Sequence, residues 1–208
     1  MGRQEQTNHL FSNRDLRILL VPLIVEQILN SLMGTADSIM VSNVGSAAIS
    51  AVSLVDSINI LVIQAFYALA AGGTIVCSQY IGQKDKKNAE ESARQLSFVV
   101  ACISSAVMAV CLLTRGPLLR LIFGSVEADV MEAAQIYFFY TALSFPFIAL
   151  YDAGSSIYRA QGNTRLPMTI AVVSNGLNIA GNAVLIWVFH LGVAGAALAT
   201  LGSRVISA

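Results

Sequence analysis

Long apolar runs separated by short polar stretches dominate this chain. We distinguish six runs, and each of the first five has at least the roughly 20 residues that an α-helix needs to cross a bilayer. The pattern predicts an all-α membrane protein, with a tail over residues 1–16 and a transmembrane bundle over 17–208. The approximate helix bounds are 17–42, 47–73, 93–114, 132–158, 166–189 and 193–208.

The composition agrees with this division. Hydrophobic residues make up 56% of the 208 positions and charged residues only 12%, about half of the share that is usual in soluble domains. The formal net charge is zero, so bulk charge points to no particular partner. We expect the lipid bilayer to surround the chain, and we expect no nucleic-acid partner.

The positions of the basic residues predict the orientation. Most of them fall in the tail, between the second and third runs, or between the fourth and fifth, whereas the opposite loops hold only Arg115 and Arg120. Basic residues concentrate on the cytoplasmic side of membrane proteins. We therefore expect a cytoplasmic N-terminus and a location in the cytoplasmic (inner) membrane. The residues of the basic side are Arg3, Arg14, Arg17, Lys84, Lys86, Lys87, Arg94, Arg159 and Arg165.

The first run carries an unusual number of polar residues. At 100° per residue, Glu26, Asn30 and Asp37 lie within about 40° of one another on a helix, so one stripe faces away from lipid. Pro22 removes a backbone hydrogen bond and predicts a bend near the cytoplasmic end. We expect the polar residues near this bend to line a cavity, to which Asp56 of the second run is a further candidate. The cavity candidates are Glu26, Gln27, Asn30 and Asp56.

Four polar residues from three of the runs are predicted to lie at similar depths in the membrane. Counted from the outer helix ends, Asp37, Asn182 and Thr200 lie about 11–12 Å deep, and Asn178 about 18 Å. A carboxylate, two amide carbonyls and a hydroxyl are hard oxygen ligands that suit a hard cation. Intramembrane carboxylates are costly and usually functional. The pattern predicts a cation site that takes Na⁺, or in which Asp37 carries a proton.

Simpler readings exist for several of these residues. Asn175, Asn178 and Asn182 share one face of the fifth run, where they would also serve as interhelical hydrogen-bond donors. Asp56 lies close enough to the outer surface to be hydrated there. Asp152 lies seven residues before Arg159 on one helix face and near the cytoplasmic end, which suggests an interfacial ion pair or a side chain that snorkels to water.

Signs of an enzyme are missing from the sequence. The three cysteines lie in apolar runs without metal-ligand spacing, and no motif pairs a nucleophile with a base. We expect a protein that is not an enzyme and needs no cofactor beyond a coupling ion.

Several short segments, in this order and spacing, resemble the multidrug and toxic compound extrusion (MATE) transporters. The likeness runs nearly end to end but covers only the amino-terminal half of such a protein. The final run has 16 residues, so we expect the sixth helix to be truncated and the carboxy-terminal lobe to be missing. The segments are Pro22, Gly34 to Val41 with Gly45, Gln79 to Asp85, Tyr158 to Arg165, Asn175 to Asn182 and Gly192 to Thr200.

This resemblance implies a twelve-helix transporter built from two six-helix lobes, of which this chain is the N-lobe. It further implies export of drugs or other small organic cations, driven by Na⁺ or H⁺. Family cation-site positions match at Asp37, Asn178, Asn182 and Thr200, and Asn175 lies one turn away. At Asn182, however, well-known members carry aspartate. An amide can coordinate Na⁺ but cannot relay a proton, so the choice of ion stays open.

Two other functions remain as alternatives. A flippase for lipid-linked oligosaccharides shares the helical plan, but it would need several cavity arginines to hold a pyrophosphate. Only Arg204 lies clearly inside an apolar run here. A membrane module that acts only by helix association would use the many small residues of the runs, but it leaves the polar cluster unexplained.

Overall fold

The structure, a computed structural model, describes residues 13–124 and 126–208. Within these ranges the chain forms helices joined by short connections and contains no strand, which confirms the all-α prediction. Residues 1–12 of the predicted tail lie outside the described residues, and residues 13–16 already belong to the first helix. The helices are α1 Asn13–Ser42, α2 Ser46–Gly82, α3 Lys86–Phe123, α4 Ala128–Leu143, α5 Phe145–Ala160, α6 Arg165–Asn182, the π-helical segment Ala183–Val188 and α7 Gly192–Ser207.

The long helices have the dimensions of membrane spans. Four segments are long and apolar enough to cross a bilayer, namely Leu16–Ser42, α2, α3 and Arg165–Val188, and α4 with α5 together make a fifth. Their outer surfaces carry large apolar side chains such as Leu113 and Leu121, which are 84% and 85% exposed. Lipid tails solvate such side chains as well as a protein core does, so the chain is a multi-pass membrane protein.

The predicted helix over 132–158 is not one straight element. The axis bends by 43° between α4 and α5, where Ser144 separates the two helices. Pro146 lies in the first turn of α5 and has no N–H to continue the helical ladder. The Ser144 hydroxyl instead donates to the carbonyl of Thr141 over 2.6 Å.

Helices α2 and α3 extend well beyond the apolar runs that predicted them. The runs covered 47–73 and 93–114, whereas the helices cover 46–82 and 86–123. Polar residues extend both helices beyond the apolar runs. At the N-terminus of α3 the cap is Asp85, whose side chain accepts a hydrogen bond from the backbone N–H of Asn88. Hydropathy marks the part of a helix that prefers lipid, not the full length of the helix.

Helix α2 lies at the centre of the bundle, packed against α3, α4 and α5, while α1 packs mainly on α6. Phe66 of α2 meets Phe145 of α5 edge to face, with ring centroids 5.9 Å apart. Successive spans alternate in direction when α4 and α5 are counted as one bent span. The start of α1 and the α2–α3 and α5–α6 connections therefore share one end of the bundle, which we call the basic end.

The hairpin between α6 and α7 is tight because it uses small residues. A Cβ atom at Gly195 would lie 3.0 Å from the main-chain carbonyl of Leu185. A Cβ at Gly181 would lie 3.1 Å from the Cβ of Ala199. This close approach brings the polar residues of α6 within reach of α7.

Candidate cation site and the adjoining cavity

Four polar side chains from three helices meet inside the bundle. Asp37 comes from α1, Asn178 and Asn182 from α6, and Thr200 from α7. Their exposed fractions are 4%, 0%, 0% and 2%, in that order. We call these four residues the polar cluster, and they are the set that the depth count from the sequence placed at similar levels.

Hydrogen bonds join the polar cluster into one network. The Asn182 amide donates to Oδ1 of Asp37 and, over 3.3 Å, to Oδ1 of Asn178. The Thr200 hydroxyl donates to Oδ2 of Asp37 over 3.2 Å and accepts from the Asn178 amide over 3.2 Å. Both oxygens of the Asp37 carboxylate are therefore held by neighbouring helices.

One oxygen of the cluster has no partner. Oδ1 of Asn182 is buried and receives no hydrogen bond, an arrangement that is rare for a buried polar atom and calls for an explanation. Oδ1 of Asp37 and Oδ1 of Asn178 both accept from Nδ2 of the same Asn182 amide, and the Thr200 hydroxyl bonds the other oxygen of Asp37. Such a set of carboxylate, amide and hydroxyl oxygens fits the coordination preferences of a hard cation.

The geometry of the cluster follows from the helices that carry it. Asn178 and Asn182 are four residues apart and so face the same side of α6. Directly after Asn182 the helix widens into the π-helical segment, in which Phe189 N–H bonds the carbonyl of Val184. Such wide turns are rare and are frequent at functional sites.

Asn175 does not join this network. Its amide donates to the Ala171 carbonyl of its own helix over 2.8 Å. It lies one turn nearer the basic end than Asn178, so it remains a neighbour of the cluster rather than part of it.

A cavity of about 550 Å³ opens on the basic-end side of the cluster. Three of the residues predicted to line it, Glu26, Gln27 and Asn30, do so. Helices α2, α5 and α7 complete its wall. The further lining residues are Leu23, Met33, Ile63, Gln64, Tyr67, Ile148, Tyr151, Asp152, Arg159 and Arg204.

Asp56, the fourth cavity candidate, is not among the residues that line this cavity. Its carboxylate accepts a hydrogen bond from the Asn59 amide over 3.3 Å. It also acts electrostatically on Asp37. Its position on α2 places it level with the polar cluster rather than with the cavity.

Arg159 pairs with Glu26, so of the two sequence interpretations of Asp152 the ion pair with Arg159 is not formed. Its Nη2 lies 2.7 Å from Oε1 of Glu26, and the Tyr151 hydroxyl donates to the same oxygen over 3.1 Å. Asp152 and Arg159 are seven residues apart, about 10 Å along the helix axis, and Arg159 extends toward α1 instead. Asp152 is left 8% exposed with Oδ2 unpartnered.

The backbone around Pro22 shows how α1 is held at the basic end. Pro22 has no N–H, so it cannot bond the carbonyl of Ile18 four residues earlier. The Thr164 hydroxyl, from the α5–α6 connection, points at that carbonyl over 3.4 Å. Sequence reasoning singled out Pro22 as a site of helix bending but did not predict this partner for the freed carbonyl.

Sequence reasoning also missed the position of Arg204. Its Nη1 donates to the hydroxyl of Ser144 over 2.7 Å, at the bend between α4 and α5. The available signal was its spacing: Arg204 follows Thr200 by four residues, so both face the same side of α7.

Similarity to known proteins extends along most of the chain. The MatE family model matches residues 22–184. The chain is 34% identical over 206 residues to the "Uncharacterized transporter YisQ" of Bacillus subtilis, covering 97% of this chain and 44% of that protein. It is 27% identical to the "Probable multidrug resistance protein NorM" of Thermotoga maritima, covering 94% of this chain and 42% of that protein.

A solved structure shows the same fold. A MOP superfamily transporter from Pyrococcus furiosus superposes with a TM-score of 0.86 at 25% identity, over 93% of this chain and 42% of that one. The chain thus spans less than half the length of the relatives it matches.

Proposed function

This chain belongs to the MatE family, and from that premise we propose that it forms the amino-terminal lobe of a cation-coupled exporter of small organic molecules. The observation that carries the proposal is the polar cluster. A buried carboxylate is held there by an amide and a hydroxyl from two other helices, beside an amide oxygen without a partner. Intramembrane carboxylates in such settings mark ion pathways.

The coupling cation would bind at Asp37. The N–H group of Asn182 now donates to the carboxylate, and a Na⁺ ion would take its place while Asn182 turns its oxygen toward the ion. Asn178 and Thr200 would supply further oxygens. Asp37 is the only member of the cluster that can carry a proton, so an H⁺-coupled exporter would use this carboxyl group alone.

The cavity would hold the organic substrate. Its volume of about 550 Å³ lies within the range of about 300–1,000 Å³ typical of small-molecule sites. Apolar side chains such as Met33 and Ile148 would contact the substrate body, and the Asp152 carboxylate would attract a positive charge. The second lobe would complete the wall.

The orientation of the chain in the membrane, and with it the direction of transport, follows from the pattern of basic residues. The basic end would face the cytoplasm of the inner membrane, since basic loops are retained there. One inward-moving charge gains about 2.3 kcal/mol per 100 mV of membrane potential. Inward movement of the cation through Asp37 would therefore drive export of the substrate.

The flippase alternative gains little from the cavity. Two arginines line it, but Arg159 is already neutralised by Glu26 at 2.7 Å. A pyrophosphate would find only Arg204, which does not make the multivalent basic site that such a ligand requires.

Efflux of a cationic dye from cells that express the protein as its gene encodes it tests the proposal. We compare the wild type with Asp37→Asn under an imposed Na⁺ gradient and, separately, an imposed pH gradient. We expect the variant to lose gradient-driven efflux at normal membrane expression. Asp129→Asn is the control, because Asp129 is an exposed carboxylate in the first turn of α4. Undiminished efflux in Asp37→Asn would refute a coupling role for the cluster.

A further inference from the structure

One turn of α7 touches both the polar cluster and the cavity. Thr200 donates to Asp37 over 3.2 Å, and Arg204, four residues later on the same face, lines the cavity. The two side chains are thus connected by a single rigid turn of helix. A displacement of this turn would move both side chains together, because no loop lies between them.

Arg204 is a positive charge shared among several carboxylates. Its guanidinium interacts electrostatically with Asp37, Asp56 and Asp152, and with the Tyr137 hydroxyl. None of these carboxylates forms a described ion pair with it, and Nη1 is committed to the neutral hydroxyl of Ser144 over 2.7 Å. Nε is buried without a partner.

This arrangement differs from that of a structural arginine. Guanidinium has five N–H donors, and a buried one usually pairs with a carboxylate at contact distance, as Arg159 does with Glu26 even though its own Nε also lacks a partner. Arg204 instead lies between two sites, each of which holds a carboxylate that it influences but does not pair with. The electrostatic environment of its guanidinium therefore depends on which ions or ligands occupy each site.

We propose that Arg204 is a positioning residue that links occupancy of the cation site to the charge presented in the cavity. This proposal rests on the proposed function. With the cation site empty, Asp37 balances the charge of Arg204 and leaves Asp152 free to attract a cationic substrate. With a cation at Asp37, the charge of Arg204 is no longer balanced there and offsets Asp152 instead.

The sign of this linkage is the one that antiport needs. A bound coupling cation weakens binding of a cationic substrate, and by thermodynamic reciprocity the substrate weakens binding of the coupling cation to the same degree. The two ligands then exchange rather than accumulate together. The charge of Arg204 carries the linkage, so lysine should preserve it and a neutral side chain should not.

Equilibrium binding of a fluorescent organic cation to the purified protein, as its gene encodes it, tests this role. The Kd of the dye is measured while Na⁺ replaces K⁺ at fixed pH, and again across a pH series without Na⁺. The charged and titratable groups that act on Arg204 are Asp37, Asp56, Tyr137 and Asp152, and Glu26 and Arg159 line the same cavity. Variants are Arg204→Gln, Arg204→Lys and the control Arg120→Gln, which removes an exposed arginine of α3.

We expect Na⁺ or protons to raise the dye Kd of the wild type by about 5- to 150-fold, the usual range of coupling between two sites. Arg204→Gln should bring that ratio toward one and tighten the binding of dye and coupling cation measured alone. Arg204→Lys and Arg120→Gln should keep the wild-type ratio. If Arg204→Gln does not fold, Arg204→Met tests the same loss of charge with a side chain of similar reach.

The outcomes separate this inference from the proposed function. An unchanged ratio in Arg204→Gln, or a ratio lost equally in Arg204→Lys, overturns the role of the Arg204 charge and leaves the exporter intact. A wild type whose dye binding responds to neither Na⁺ nor protons overturns the coupled exporter and this role with it.

Discussion

Arg159 of α5 and Glu26 of α1 form an ion pair with 2.7 Å between Nη2 and Oε1, although 133 residues separate them in the chain. Their side chains are only 20% and 5% exposed. Tyr151 donates to the same oxygen and, over 3.3 Å, to the Pro167 carbonyl of α6. The basic end of α1 is thereby joined to α5 and α6 through one carboxylate.

The first prediction concerns this pair. Glu26→Gln should destabilise the protein by roughly 3 kcal/mol, because removing one partner leaves a partly buried charge unpaired. The double variant Glu26→Gln/Arg159→Gln should recover most of the loss. Thermal unfolding in a defined detergent measures both. Glu91→Gln is the control: it breaks the exposed Arg94–Glu91 pair at 2.9 Å and should change the melting temperature little. Equal losses in all three variants would contradict the assignment.

The second prediction concerns the carbonyl that Pro22 leaves free. Thr164→Val keeps the side-chain shape and removes the hydroxyl aimed at Ile18, which should cost about 1 kcal/mol of unfolding free energy. In a Pro22→Ala background the helix supplies its own N–H to that carbonyl, so Thr164→Val should then cost much less.

The control for this prediction is Thr169→Val. The Thr169 hydroxyl donates to the Arg165 carbonyl within α6 over 2.9 Å and is exposed. The unfolding free energy lost in Thr169→Val should therefore be the same with and without Pro22. Identical effects of Thr164→Val with and without Pro22 would show that the hydroxyl does not serve the freed carbonyl.

The third prediction concerns the Asn182 amide, which donates to Asp37. Asn182→Asp places a second negative charge beside Asp37, which should lower the melting temperature without Na⁺ and increase the stabilisation by added Na⁺. Binding to the folded state alone stabilises by RT ln(1 + [L]/Kd), so a Na⁺ titration of the melting temperature gives the affinity. Asn175→Asp, one turn outside the cluster, should show a weaker Na⁺ response. If both variants respond alike, the site is not centred on Asn182.

The fourth prediction concerns the α6–α7 hairpin. Gly195→Ala places a Cβ 3.0 Å from the Leu185 main chain and should destabilise by about 1–3 kcal/mol through overpacking. At Gly202, nothing lies within 4 Å of a new Cβ, so Gly202→Ala should be neutral or stabilising. Unfolding midpoints of the two variants decide this, and a neutral Gly195→Ala would mean that the hairpin can relax.

The sequence predicted the level of the polar cluster because the rise of an α-helix per residue is fixed. Counting from helix ends therefore placed Asp37, Asn182 and Thr200 at similar depths. Counting does not give the rotation of one helix about its axis relative to another. That rotation is set by packing, and it decides that Arg159 reaches Glu26 and that Asp56 stays outside the cavity.

Other features depended on local backbone chemistry that hydropathy does not register. The bend at Ser144 lies inside a continuous apolar run, so the run predicted a single helix. The widening after Asn182 lies where α7 passes close to the chain, with Gly195 against the Leu185 main chain, and hydropathy does not register this approach. Arg204 was recognisable as intramembrane, but its neighbours come from helices far away in the chain.

The sequence separations within the polar cluster have a consequence for biogenesis. Asp37 is made 145 residues before Asn182 and 163 before Thr200. At about 5–20 residues per second, its partners are synthesised roughly 7 to 33 s after it. A lone carboxylate at mid-membrane costs about 2.5–3.5 kcal/mol on insertion scales. The apolar residues of α1 therefore have to offset this cost until the last helices of the lobe arrive.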